Sequence, residues 1–223
     1  MKKVLPLAIS LAIAGFTTSA SAENPMGLEF SADVAFTSNY VFRGISESGE
    51  EAAIQGGMYA SHESGIYAGI WGASVSGYTG AVMEFDYNLG WSGDVGPVGL
   101  DLGVTQYTYP GQSNPDSDTT EFYVGVSKDF GMFSAGLSYA YSDDFYNAGD
   151  NDYWMVSAEV PVGDFTISGH YGDTERDDGT DYEDWSLGVS TELGGFGFAV
   201  TFTDTDGLAA DEDYTAFSIS KSL

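Results

Sequence analysis

The sequence predicts an all-β chain: a single closed antiparallel transmembrane β-barrel of about twelve strands, with short periplasmic turns and long acidic external loops. Three observations predict it. Apolar side chains recur at every second position through one segment after another, the links between segments are alternately long and tight, and no stretch beyond the leader carries a helical period.

The leader comes first. Lys2 and Lys3 precede an apolar run over 4–16, and Ala20-Ser21-Ala22 supplies the small residues that signal peptidase reads. The run is shorter than the about 20 residues a spanning helix needs, so residues 1–22 read as a cleaved signal peptide and 23–223 as the outer-membrane barrel. In the first strand Leu28, Phe30, Ala32, Val34, Phe36, Tyr40 and Phe42 alternate with Glu29, Ser31, Asp33, Thr37, Asn39 and Arg43. Segments 54–62 and 66–74 follow; both are rich in glycine, and in the second Tyr67 and Trp71 compete with Ile66 and Ile70 for the apolar face. Met83, Phe85, Tyr87, Leu89 and Trp91 then face away from Glu84, Asp86 and Asn88. Further alternating runs occupy 98–104, 122–126, 133–141, 154–160, 165–171, 185–189, 196–202 and 217–223. Polar loops at 44–53, 75–82, 110–120, 142–152, 173–183 and 204–213 trade places with tight links at 63–65, 92–97, 128–131, 161–164 and 192–195.

A soluble β-sandwich or lipocalin-like barrel also alternates. Twelve half-apolar strands in so short a chain leave almost nothing to cover a second surface, which favours large apolar side chains facing lipid and a polar face turned inward. An open edge in hydrocarbon leaves backbone donors and acceptors unpaired at several kcal/mol each. The last strand is therefore expected to pair with the first, both termini lying in the periplasm. Lys221 falls on the apolar face, which is tolerable only near the interface, where its stem can snorkel.

Charge narrows the function. The 223 residues hold 34 Asp and Glu against 6 Lys and Arg, a net charge of −28, and no cysteine. Such a chain repels nucleic acid and has neither disulfides nor thiolate chemistry. With 43% hydrophobic and only 18% charged residues it is too apolar for an acidic disordered chain.

The run Ser38-Asn39-Tyr40-Val41-Phe42-Arg43-Gly44-Ile45-Ser46, followed by Ala53-Ile54-Gln55-Gly56-Gly57 and by Ser61-His62-Glu63-Ser64-Gly65-Ile66-Tyr67-Ala68-Gly69-Ile70-Trp71-Gly72, resembles the TorF-type porin family of Gram-negative bacteria. Members of that family are also met as exported conserved hypothetical outer-membrane proteins. The resemblance runs over the whole mature chain and is most specific in the first three strands. It implies an outer-membrane location and a pore, and brings no substrate and no functional residues.

On the polar face Glu29, Asp33, Glu84, Asp86, Asp101 and Glu159, with Arg43 as the basic residue among them, are the candidate pore-lining residues. A negative ring in a narrow pore favours cations. The acids of the presumed loops either add to that field at the mouth or keep the outer surface soluble and hold divalent ions beside lipopolysaccharide. Glycine and serine on the polar face argue for open space, no plug domain is inserted, and Arg43 is read as a bridge between lumen carboxylates. The expectation is a passive, cation-preferring channel for small solutes, without catalysis or cofactor. Its expected partners are outer-membrane lipid and lipopolysaccharide, small cations or other small solutes, and the barrel-assembly machinery through the C-terminal strand. The alternative is a closed barrel whose acidic loops serve adhesion, structure or ion binding.

Two other chemistries match fragments of the sequence. Asp204-Thr205-Asp206-Gly207 resembles the middle of an EF-hand loop but lacks its first ligand and flanking helices, leaving Asp206, Asp211 and Asp213, or Asp173, Glu175 and Asp177, as weak candidates for a loose divalent site. A lipid-hydrolysing triad can be sketched from Ser168, His170 and Glu159, but counting from a hairpin centred on 161–164 puts His170 near Met155 and Glu159 near Thr166, too far apart to orient the ring.

Overall fold

The computed structural model describes residues 27–76, 80–113, 118–208 and 213–223; the leader and its cleavage site lie outside them. Alternation over most of the chain makes strands, and twelve of them close a barrel: β1 (Leu28–Thr37), β4 (Ala53–His62), β5 (Ile66–Ser74), β6 (Met83–Val95), β7 (Val98–Thr108), β8 (Thr119–Asp129), β9 (Ser134–Ser142), β10 (Asn151–Val162), β11 (Phe165–Arg176), β12 (Tyr182–Leu193), β13 (Phe196–Asp206) and β14 (Asp213–Ser222). Each pairs antiparallel with its neighbours. β14 closes the ring on β1 with Phe36 opposite Ile219, so no barrel strand is left with an open edge. At about 3.3 Å per residue and a tilt of about 40°, ten residues rise about 25 Å, the height of the apolar band of a membrane barrel.

The surface is inverted relative to a soluble protein. Met58 and Ile54 are 67% and 63% exposed, while Gln55 on the same strand is buried inside. Trp91 marks the short-turn end of the outer face, donating to the Ser64 carbonyl at 2.8 Å, and Trp154, Tyr171 and Trp185 mark the long-loop end. Lys221 lies opposite Val34 on the outer face, and its Nζ reaches the Gly195 carbonyl at 2.6 Å, at the short-turn rim.

The contest in β5 goes to the isoleucines. Ile66 and Ile70 face outward, and Trp71 is buried inside. The reason lies in cross-strand packing. One register row runs Tyr67–Gly90–Gly103–Tyr123 across β5 to β8, and both rings lie over the glycines, their hydroxyls meeting each other. A Cβ at Gly103 would stand 2.7 Å from the Leu89 carbonyl oxygen and 2.5 Å from the Tyr123 hydroxyl. Gly103→Val is therefore expected to destabilise the barrel by about 1–3 kcal/mol through overpacking. A lower temperature for loss of the compact, heat-modifiable electrophoretic form checks it.

Two sequence expectations need correction. The first strand ends at Thr37, six residues before Arg43, and residues 41–46 form a separate hairpin of β2 (Val41–Phe42) and β3 (Ile45–Ser46) that enters the lumen. An extended hairpin alternates as a membrane strand does, so Tyr40 and Phe42 look lipid-facing on paper; Tyr40 is in fact 2% exposed in an interior cluster with Trp71, Ala73, Tyr107 and Tyr109. At the same end, segments 173–176, 182–183 and 204–206 continue as strand where loops were expected: Thr174, Tyr182 and Thr205 are buried inward and alternate with outward acids.

Candidate functional site

The hairpin of β2 and β3 reaches across the long-loop end of the lumen to the wall nearly opposite β1. Arg43 at its tip has φ +46°, and Gly44 has φ +82°. Gly44 is needed for space as well, since a Cβ there would stand 2.3 Å from Thr205 Cγ2 and 2.9 Å from Asp184 Cβ. Arg43 is 8% exposed, and its Nη2 donates to both carboxylate oxygens of Glu121 at 2.8 and 2.7 Å. Its guanidinium lies 4.0 Å from the Tyr153 ring centroid, with the rings of Phe42 and Phe145 at 4.8 and 5.6 Å. Burial works against the charge, but Glu121 and the neighbouring Tyr107 and Tyr153 phenols together outweigh it, and the guanidinium is held protonated above its ordinary range.

Tyr40 roots the hairpin. Its hydroxyl donates to Glu84 Oε2 at 2.8 Å, and Tyr109 donates to Oε1 of the same carboxylate at 2.5 Å. Burial, with Glu84, Asp86 and Glu47 around it, pushes the Tyr40 phenol well up and keeps it a neutral donor. Ser48 and Asn39 tie the hairpin's base, the Ser48 hydroxyl accepting from the Tyr40 N–H at 2.9 Å and lying 3.0 Å from Asn39 Oδ1. The loop after β9 adds Phe145 and Tyr146, whose hydroxyl is 2.7 Å from that of Tyr109. The barrel's interior apolar cluster thus sits at one mouth and holds a loop across it.

Each candidate lining residue can be placed. Glu84, Asp86 and Asp101 are buried on the inner face, Asp33 is half-buried there, and Glu29 and Glu159 are exposed near the short-turn end. Arg43 does bridge to a carboxylate, and the partner is Glu121. The expectation that no plug is inserted is corrected in one respect: among the described residues no separate domain enters, but the first long loop does. Sequence reasoning missed Glu121 and the role of Asp184. Asp184 follows directly on the polar loop expected at 173–183, yet it is fully buried on the inner face, where it lies 2.6 Å from His170 Nε2.

The sketched triad is rearranged by register. Ser157, rather than Met155, lies opposite His170, and Glu159 lies opposite Ser168. His170 instead stands between Asp184 and Ser186, whose Oγ is 2.7 Å from Nδ1. Strand β12 is paired on both sides here, with Ser186 opposite His170 and Thr203, so its backbone N–H groups are engaged in the ladder and supply no pair of donors for an oxyanion. The cluster reads as a polar brace between β11 and β12.

On the outer wall the acids form like-charged cross-strand pairs at the long-loop rim: Asp152 with Glu175, Asp173 with Glu183, Glu183 with Asp206, and Asp204 with Asp213. Of the weak metal candidates, Asp206 and Asp213 end on this rim, and Asp211 lies outside the described residues. Among the described residues no three acidic or histidine side chains converge as a metal site.

Comparison with solved structures gives the same architecture at low identity. KdgM porin superposes with a TM-score of 0.62 at 10% identity, covering 86% of this chain and 98% of that one. NanC porin gives 0.57 at 10% identity, covering 86% and 97%. An outer-membrane channel from Pseudomonas putida F1 gives 0.56 at 11%, covering 99% of both chains. No curated protein matches the sequence. The sequence pattern of a bacterial family does match, over residues 20–222, and the chain belongs to that family, described as "Bacterial protein of unknown function (Gcw_chp)".

Proposed function

We propose that the protein is an outer-membrane porin: a passive channel for small solutes that prefers cations, with its long acidic loops outside and both termini in the periplasm. The mature chain then begins at Glu23, and Glu29, Asp33, Arg43, Glu84, Asp86, Asp101 and Glu159 line the path. The observation that carries the reading is the charge of the inner face at the constriction. Glu47, Glu84, Asp86, Glu121 and Asp184 are buried there against Arg43 and His170. Low-dielectric walls focus such a field on the permeating ion. KdgM porin has been solved in complex with disordered oligogalacturonate, a polyanion. An acid surplus disfavours cargo of that charge here.

The deciding measurement is single-channel conductance of the refolded mature chain in a planar bilayer, with the reversal potential across a potassium chloride gradient. Discrete steps with a reversal potential of the cation-permeable sign are expected. An anion-permeable sign overturns the preference. Silence from folded, inserted protein favours the second reading, a barrel closed by its first loop. In that reading the outward acid pairs bind divalent cations among lipopolysaccharide phosphates, an arrangement that relieves their mutual repulsion.

A further inference from the structure

Below the constriction the lumen has two unlike walls. From β9 to β14 the inner face is largely small: Gly136, Ser138, Ser157, Gly188, Ala199 and Ser218 lie on it. From β4 to β8 it is paved with tyrosine. Tyr59 covers Gly57 and Gly69, so that a Cβ at either glycine would fall within 2.7 Å of its ring atoms. Tyr67 covers Gly90 in the same way and Tyr123 covers Gly103. Glycines at these positions let the rings lie flat, with one face on the wall and the other on the lumen.

Carboxylates border this pavement. The Tyr67 hydroxyl donates to Asp101 Oδ1 at 2.7 Å. The register row above Tyr59 runs Asp33–Gly57–Trp71–Asp86, placing one acid at each end. Asp86 is 3% exposed, and its Oδ1 has no hydrogen-bond partner; the Oδ2 of Asp33 is likewise buried without one. Among the described residues Arg43 and Arg176 are engaged in ion pairs with Glu121 and Asp178, and His170 is hydrogen-bonded to Asp184. Asp33 and Asp86 therefore flank the paved wall with buried oxygens that have no countercharge.

We propose that this wall is a track for amine-bearing solutes, with an ammonium group seated over the Tyr59 ring between Asp33 and Asp86. The inference rests on the cation-preferring reading above and gives its cargo a chemical class. An anion is repelled by the same carboxylates. A bare metal ion needs converging oxygens, which the described residues do not provide. An uncharged sugar can stack on the rings but leaves the buried carboxylates uncompensated. An alkylammonium ion satisfies both features, its charge facing aromatic π-density and carboxylate and its methylenes lying on the rings.

The test is calorimetric titration of spermidine into the folded barrel in detergent, which reads binding whether or not the pore conducts. Saturable binding is expected, with maltotriose inert at the same concentrations. Asp33→Asn and Tyr59→Leu should each weaken it about tenfold or more, and Tyr59→Phe, which keeps the ring, should bind nearly as the parent does. Asp33→Asn barely changes shape, so it remains a valid probe if Tyr59→Leu fails to fold. No binding, binding of maltotriose in place of spermidine, or affinity unchanged in Asp33→Asn overturns the proposal. A cation-permeable reversal potential together with no spermidine binding sinks this inference alone; an anion-permeable sign removes the reading beneath it.

Discussion

Arg43→Ala is expected to raise the unitary conductance several-fold. The side chain is the hinge pin of the constriction: it crosses the lumen from the first loop and fastens to Glu121 on β8 while packing on Tyr153 of β10. Removing it deletes the charge and the fastening together, and the hairpin loses its hold on the far wall. Breaking one side of a buried ion pair costs about 3–5 kcal/mol, because the remaining charge loses its counter-ion without gaining water. That cost favours any state in which the hairpin leaves and water reaches Glu121. The expected trace has larger steps and more frequent transitions than the parent. Arg43→Ala combined with Glu121→Gln separates the two consequences. Without an orphaned charge the double variant should recover most of the lost stability in a denaturant titration while keeping the large conductance. Unchanged step size in both variants would show that the hairpin does not limit the path.

How much of this was legible in the sequence follows from what alternation can encode. The barrel was legible because a lipid-facing file must be apolar at every second position, and strands such as Met83–Val95 write that file in large side chains. The inner acids followed by parity from their apolar neighbours. The constriction was not legible, because Tyr40 and Phe42 in an inward hairpin have the same spacing as Tyr40 and Phe42 in a longer strand. Only the fastening distinguishes them, and it depends on Glu121, distant in sequence and on the far wall of the barrel. Asp184 was hidden for a different reason. It sits in an acid-rich stretch where Glu183 and Asp184 look alike, yet one faces outward and the other pairs with His170 inside. Tyr67 and Ile66 were ambiguous because both are apolar; the glycines opposite Tyr67 decide it through packing that no single strand contains.

Charge neutralisation inside the barrel gives the second large effect. Replacing Glu84, Asp86 and Asp101 together by Gln, Asn and Asn is expected to lower the cation-to-anion permeability ratio several-fold. The amide at 84 keeps an acceptor oxygen for one of the Tyr40 and Tyr109 hydroxyls and donates its N–H to the other, which can turn to accept it, and the amide at 101 keeps an acceptor for Tyr67, so the walls should hold. Salt concentration tells these groups apart from the outer rim. The screening length falls from about 10 Å at 0.1 M to about 3 Å at 1 M, which suppresses the field of exposed acids such as Asp173 and Glu183 but acts far less on buried ones. If the inner carboxylates set the preference, the parent stays cation-selective in 1 M potassium chloride and the triple variant loses selectivity at both concentrations. A preference that vanishes in the parent at 1 M and survives the triple substitution at 0.1 M would assign selectivity to the rim. The same pair of salts therefore decides whether the charge that matters lies in the constriction or around it.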